Sequence, residues 1–287
     1  MKKISIIIPT YNSSEYIKCL LDSIPISNNE VIIVDDYSQD LMELRRIATS
    51  HPNVRVLSND RKKGAGSCRN IGVHHAQGDF LVFADSDDYF SSNIVKVFSN
   101  IESFIPKGCD VAYFKPSSVS SNNDVSNRHK TYEALVDLHI KNDVDYVRYW
   151  FHVPWSKIIR RDFVVKNKLK FSETLVSNDV IFSLSVGIKA RNIICHSLAI
   201  YTVVERSGSL TQVVGFDVLS TRLSILREYN SILNANGLAR FSIPEFIYLI
   251  KMFRLNPKKT FKLMLESKNF LPNFTYFKSR LLIKSRM

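Results

Sequence analysis

The sequence predicts an α/β fold: a mostly parallel, Rossmann-like sheet with helices on both faces, carrying a helical extension at its carboxyl end. Three observations point there. Short β-branched runs alternate with longer amphipathic segments through the first half, three of those runs end in polar clusters, and the pattern from Phe216 onward is helical.

The runs Ile4–Ile8, Val31–Val34, Val54–Leu57, Phe80–Phe83 and Val111–Phe114 read as buried strands. Between them Glu15–Ile24, Leu41–Ala48, Ser67–His75 and Asn93–Phe104 carry helical spacing. A βαβα order makes the sheet mostly parallel. Ligands bind such sheets outside the carboxyl ends of the strands, so Pro9–Asn12, Asp35–Ser38 and Asp85–Asp88 are expected along one rim.

The Ser/Asn-rich stretch 117–127 reads as a surface loop or mobile lid. After it comes a less regular, helix-rich region to Asp179, then a strand pair at Asn192–Cys195 and Leu198–Val204. Pro244, Pro257 and Pro272 are expected at helix starts or stops. The expected division is one domain over 1–215, with halves 1–115 and 116–215, and a basic helical region over 216–287. No internal repeat or low-complexity tract interrupts this order.

A hydrophobic fraction of 45% over 287 residues suffices for one sizeable core with chain to spare. The four cysteines have no C-x-x-C spacing, which points to a reducing compartment and away from structural zinc. The seven histidines, His74, His75, His152 and His196 among them, show no ligand-like spacing and read as surface or packing residues. The apolar run after Met1-Lys2-Lys3 stops at Pro9 and Thr10, too short for a signal peptide. The apolar, uncharged run Val180 to Ile188 falls far short of the ~20 residues a spanning helix needs, so no segment is expected to cross a bilayer. Net charge is +12 and unevenly placed: from Arg240 onward eleven basic residues face two acids.

Chemistry concentrates on the expected rim. In Asp85-Ser86-Asp87-Asp88, carboxylates two apart after a strand suit a Mg²⁺ or Mn²⁺ ion shared with substrate phosphates, although acids after a strand also serve as turns or caps. Asp35-Asp36-Tyr37-Ser38, with Asp40 beyond, can accept hydrogen bonds from a base N–H or ribose hydroxyls, while Ser38 or Asp40 equally suits a helix cap. Lys62-Lys63-Gly64-Ala65-Gly66 leads into a helix carrying Arg69. Small residues there allow close approach to a phosphate, and the alternative is a flexible loop with a solvated arginine.

Taken together, Ile4–Asn12 (ISIIIPTYN), Val31–Asp40 (VIIVDDYSQD) and the segment 59–89 with CRNIGVHHAQGDFLVFADSDD resemble the N-terminal signature of the family 2 glycosyltransferases of GT-A fold, enzymes that use nucleotide-diphospho sugars. The resemblance is dense over the first third of the chain. It implies that Pro9, Thr10 and Tyr11 line the base pocket, that Asp36 binds the base edge, that Asp85 binds the ribose or the metal through water, and that Asp87 ligates the metal directly. Ser86 joins the donor-binding set, and Arg69 lies near the donor sugar or diphosphate. The second half is similar to the family more sparsely, at Trp155-Ser156-Lys157, Arg160-Arg161, Phe171-Ser172-Glu173, Asn178-Asp179 and Tyr201 to Thr211. The family's acidic pair is here Asn178-Asp179, so the first acid is missing while the general base, Asp179, is retained. Asp179 could also be a helix N-terminal acid stabilised by the dipole.

The resemblance therefore implies an inverting, metal-dependent (Mn²⁺ or Mg²⁺) hexosyltransferase that moves a UDP-linked sugar to a hydroxyl of a glycan or lipid-linked acceptor in bacterial surface-polysaccharide synthesis (O-antigen, capsule or exopolysaccharide). Trp155, Lys157 and Arg206 are expected near the acceptor or the leaving diphosphate. The basic tail suggests an anionic membrane surface as a partner, and hence a peripheral enzyme on the cytoplasmic face. Two other classes fit parts of the sequence. A non-catalytic nucleotide-sugar-binding protein or nucleotidyltransferase fits the same rim. A nucleic-acid-binding protein fits the aromatic and basic tail, but the acidic rim would repel a phosphate backbone, so no nucleic acid is expected.

Overall fold

A computed structural model describes residues 3–25, 29–121, 124, 126–142, 144–206 and 215–284. Met1-Lys2, the 207–211 part of the segment Tyr201 to Thr211, and Arg286 lie outside the described residues. The chain separates into two compact units, 1–206 and 207–287.

The first unit is built on one sheet of β1 (Ile4–Thr10), β2 (Glu30–Asp35), β3 (Val54–Ser58), β4 (Phe80–Phe83), β5 (Tyr89–Phe90), β6 (Val111–Ser120), β7 (Lys157–Arg160) and β8 (Ile193–Glu205), in the order β3-β2-β1-β4-β7-β6-β8-β5. Strands β3, β2, β1 and β4 run parallel. β7 is antiparallel to both β4 and β6, β8 is parallel to β6, and β5 closes the edge antiparallel to β8. The connecting helices are α1 (Ser14–Asp22), α2 (Leu41–Thr49), α3 (Ala65–His75), α4 (Asn93–Ser99), α5 (Ile101–Phe104), α6 (Lys130–Asn142), α7 (Tyr146–Trp150), α8 (Arg161–Lys166) and α9 (Val180–Lys189).

Every residue of β1 and β2 is buried, as strands covered on both faces require. Ile4, Ile6 and Ile8 join a core with Ile17, Leu20 and Leu21 of α1 and Ile94 and Val97 of α4. Ile7 points the other way, onto α3, where a methyl group on Gly72 would overlap it. On that same face Phe83 meets Phe171 and Phe182 edge-on, with centroids 5.0 and 5.6 Å away.

Three expectations are corrected. The strand pair at 192–204 is one strand, β8, because what looked like a turn is a bulge: Phe114 pairs with His196 but Lys115 with Ala199, leaving Ser197 and Leu198 out of register. The Ser/Asn-rich stretch is not loop throughout, since Ser117–Ser120 continue β6, and Ser117 Oγ lies 2.8 Å from Thr202 Oγ1 across the ladder. Cross-strand pairing overrides the poor strand propensity of serine. The helix expected over Asn93–Phe104 breaks at Asn100, whose φ of −124° is not helical.

The second unit holds α10 (Phe216–Ala235), a 3₁₀ turn at Ala239–Phe241, α11 (Phe246–Leu255), α12 (Pro257–Leu265) and α13 (Phe274–Lys284). Pro257 opens α12 as expected, with the Asn256 side chain accepting the Lys259 N–H as cap. A small core of Leu219, Leu223, Leu249 and Met252 joins α10 and α11. Among the described residues no helix is long and apolar enough to cross a membrane.

Candidate active site

Because β2, β1 and β4 are parallel neighbours, their carboxyl ends bring Asp35–Ser38, Tyr11–Asn12 and Asp85–Asp88 to one rim. The first two loops are knitted together. Asp36 N–H donates to Thr10 O, Asn12 N–H to Ser38 Oγ (2.9 Å), Gln39 N–H to Asn12 Oδ1 (2.9 Å) and Ser14 N–H to Asp40 Oδ2 (2.8 Å). Asp40 thus reaches across to the start of α1 rather than capping its own helix. Asn12 and Tyr37 hold φ of +47° and +68°, and Ser156 and Ser177, beside Lys157 and Asn178, hold +55° and +57°. Such strained backbone tends to collect where a surrounding structure fixes functional side chains.

Asp36 is buried and accepts from Asn59 Nδ2 and from the amides of Lys63 and Gly64, all at 2.8–2.9 Å. Three of a carboxylate's roughly four acceptor positions are therefore committed to the loop before α3. The amides expected to cradle a phosphate are spent on Asp36. Gly66 serves packing too, because a methyl group there would overlap the Ser172 carbonyl oxygen. Asp35, read in the sequence only as part of the same acidic cluster as Asp36, has its Oδ1 buried without a partner while Oδ2 accepts the Ser38 N–H. Thr10 Oγ1 lies 2.6 Å from Ser13 Oγ, which lies 2.8 Å from Ser86 Oγ. Tyr11 is exposed, and Lys62 Nζ sits 3.5 Å over its ring.

The four residues after β4 divide the work. Asp85 Oδ1 accepts from Arg69 Nη2 at 2.6 Å, and Ser86 is held by Ser13. Asp88 is buried, accepting from Val204 N–H (2.8 Å) and from the Tyr201 hydroxyl (2.9 Å), which itself accepts the Asp85 N–H at 2.8 Å. The Asp87 carboxylate has no hydrogen bond from another residue among the described residues, although its carbonyl accepts from Arg206 Nη2 (3.1 Å). Arg206 in turn lies 3.4 Å over the Tyr16 ring, with Nη1 buried and unpartnered.

Arg69 ties this cluster to the second half of the chain. Its Nη1 donates to Asn178 Oδ1 at 2.7 Å. Asp179 follows at the head of α9, and its side chain makes no capping hydrogen bond. Residues far apart in the sequence are thus gathered at one rim: Asp85 and Asp87 after β4, and Asp179 across Arg69.

The sequence pattern of glycosyl transferase family 2 matches residues 5–166, more than half of the chain. The chain is a family 2 glycosyltransferase. It is 29% identical over 218 residues to the poly(ribitol-phosphate) beta-N-acetylglucosaminyltransferase TarS of Staphylococcus aureus (strain MW2), covering 72% of this chain and 36% of TarS. It is 28% identical over 216 residues to the poly(ribitol-phosphate) beta-glucosyltransferase of Bacillus spizizenii, covering 72% of this chain and 33% of that one. Each alignment therefore spans about a third of the relative's length. The crystal structure of S. aureus TarS 1–349 with UDP-GlcNAc superposes with a TM-score of 0.65 at 24% identity, over 91% of this chain and 75% of that one. The mannosyltransferase PcManGT from Pyrobaculum calidifontis, in complex with GDP-Man and Mn²⁺, gives 0.60 at 14% identity over 98% and 84%. The sheet is the GT-A fold.

In this glycosyltransferase burial raises the Asp87 carboxyl above the ordinary range, and the Asp85 charge adds to the rise, while Arg206 and Arg128 oppose it. Arg128, on the segment after β6, had no motif to announce it. Asp179 is raised mainly by burial, with Asp85 adding and Arg69 and Lys157 opposing. Lys157 and Trp155 lie inside the protein, 1% and 2% exposed, and offer no surface to a ligand in this arrangement. Lys157 Nζ donates to Phe151 O at 2.6 Å, and burial pulls its ammonium down to about 7 against the field of Asp179. Trp155 stacks on Tyr201, centroids 5.7 Å apart. Both support the site from behind. Replacing Tyr201 by Phe strands the Asp85 N–H and an Asp88 oxygen, so unfolding by denaturant should show a loss of about 1–3 kcal/mol. An unchanged midpoint would remove the hydroxyl from this bridge.

The residues suit a divalent cation. Asp87 is a carboxylate whose charge burial and a second acid both disfavour, relieved only in part by its own backbone N–H and by Arg206 and Arg128, and a cation is the group that would complete the relief. Among the described residues no set of three or more His, Cys, Asp or Glu forms a cage by itself. An ion here would share its coordination with substrate phosphates, as magnesium and manganese do.

Proposed function

We propose that this glycosyltransferase moves a sugar from a nucleotide-diphospho sugar, UDP-linked, to a hydroxyl of a glycan or lipid-linked saccharide in surface-polysaccharide synthesis (O-antigen, capsule or exopolysaccharide), with inversion at the anomeric carbon. The observation that carries the reading is the uncapped, partly buried Asp179 carboxylate joined through Arg69 and Asn178 to Asp85. Similarity to TarS, whose structure holds UDP-GlcNAc, supports the uridine donor.

Asp179 accepts the proton of the acceptor hydroxyl as its oxygen bonds to the anomeric carbon and the bond to the diphosphate oxygen breaks. One displacement turns an α-linked donor into a β-linked product, and no enzyme nucleophile is required. Asp87 would hold the divalent ion, which when bound supplies positive charge for the leaving diphosphate. Arg206, with its free Nη1, adds charge on the same side. Pro9, Thr10 and Tyr11 border the base, with Asp36 at its edge through the one acceptor position that Asn59, Lys63 and Gly64 leave it. A lipid-linked acceptor would bring the enzyme to the inner face of the cytoplasmic membrane as a peripheral protein.

The test is a thermal-shift series with UDP-, GDP- and dTDP-sugars, with and without Mn²⁺, followed by product analysis on the donor that binds. At a hundredfold excess over Kd, a donor that binds only the folded state adds about 2.7 kcal/mol, a rise of several degrees in Tm. No shift with any nucleotide sugar would overturn the donor assignment.

A further inference from the structure

We propose that helices α11, α12 and α13 form a docking face for an anionic lipid surface. In a helix that packs only on its own core, apolar residues face inward and charges face water. Here the outward faces carry both. Along α12, Lys258, Phe261, Lys262 and Leu265 follow the i, i+3, i+4, i+7 spacing of a single stripe, and all four are exposed while Thr260 is fully buried on another face. α13 repeats the pattern with Phe274, Phe277, Lys278 and Leu281 outside and Ser279 and Ile283 inside. α11 repeats it again with Ile250, Phe253 and Arg254 outside and Leu249 and Met252 inside.

Density separates this from ordinary surface. Of the sixteen large hydrophobic side chains exposed among the described residues, nine lie between Ile250 and Leu281, with Leu265 74% and Phe274 80% exposed. Scattered exposed hydrophobics need no explanation, but a concentration of this kind marks an interaction surface.

Charge decides the occupant. The two acids after Arg240 are both engaged by Arg227: Glu245 is buried 2.8 Å from its Nε, and Glu266 lies 3.6 Å from its Nη1. Lys251, Arg254, Lys258, Lys259, Lys262, Lys268, Lys278, Arg280 and Lys284 have no carboxylate within ion-pair distance among the described residues. Their field is therefore uncompensated. Aromatic and aliphatic side chains interleaved with uncompensated cations match the boundary between acyl chains and acidic headgroups. A second copy of this chain would bring the same cations against one another, which opposes self-association through this face. The lipid-linked acceptor of the proposed function gives the docking a purpose, but the surface stands without it.

The experiment sediments the full-length protein with vesicles of phosphatidylcholine alone and of phosphatidylcholine with phosphatidylglycerol, at low and high salt. Binding is expected only to the acidic vesicles and should weaken as salt rises. Lys258→Gln with Lys262→Gln should cost about 25-fold in partition, about fivefold per cation near the lipid. Phe274→Ser with Phe277→Ser should abolish recovery in the pellet. Both double variants should keep the wild-type Tm and the wild-type turnover with a soluble acceptor, because these side chains are exposed and none belongs to the candidate active site. Wild-type protein left in the supernatant with acidic vesicles overturns the proposal. So does equal binding by the variants, a discrete oligomer that the Phe variants dissociate, or binding to single-stranded nucleic acid in place of vesicles. Loss of turnover with vesicle binding intact would instead count against the catalytic reading alone.

Discussion

Asp179→Asn is expected to lower turnover by about 10²–10⁴ while donor affinity stays within a few-fold of wild type, because removing a general base acts on the reaction step and leaves the nucleotide contacts in place. The pH profile sharpens the test. A base works only when unprotonated, and burial raises the Asp179 carboxyl. Activity should therefore fall on the acid side at a pH above the ordinary carboxylate range, and that limb should vanish in the variant. Lys157, charged below about 7, helps hold Asp179 ionised. Lys157→Met should accordingly move the acid limb to higher pH without erasing it. Loss of donor binding with turnover spared would place Asp179 in the nucleotide pocket instead.

Asp87→Ala should abolish metal-dependent donor binding with the fold intact. The carboxylate has no side-chain hydrogen bond among the described residues, and its charge is disfavoured by burial and by Asp85, so its removal costs the folded state little. In calorimetry or thermal shift, wild-type protein treated with EDTA should behave like the variant in either condition. Proton competition adds a second signature. Because the Asp87 carboxyl is raised, metal affinity should fall on acidification earlier than at an isolated aspartate. Full activity of the variant in the presence of EDTA would make the metal assignment wrong.

Much of the fold was legible because β1, β2 and β4 are buried on both faces and must be written in Ile, Val, Leu and Phe. The long β6–β8 pair was harder to see. Its outer half is written in Ser and Thr, whose pairing depends on the partner strand, and the Lys115–Pro116 irregularity hides its continuity. At the rim, the motifs marked the loops that the strand ends bring together but not the division of labour inside them. Nothing local separates Asp87 from Asp88, since the difference is a Tyr201 hydroxyl arriving from more than a hundred residues away. Likewise Trp155 and Lys157 form a motif that could face a ligand or the interior, and only packing distinguishes the two. Arg69 was singled out for phosphate, yet its partners here are Asp85 and Asn178.

Helix α3 fits between its neighbours with no clearance on either side: Gly72 against Ile7 of β1, Gly66 against the backbone of Ser172. In the machinist's sense it is a gauge block. Its thickness at those two points fixes the distance from the strand that leads into Tyr11 and Asn12 to the segment that leads into Asp179. An added methyl at Gly66 would thus press on Ser172 and Asn178, and under the proposed mechanism its expected effect is to shift Asp179 relative to the donor more than to unfold the core.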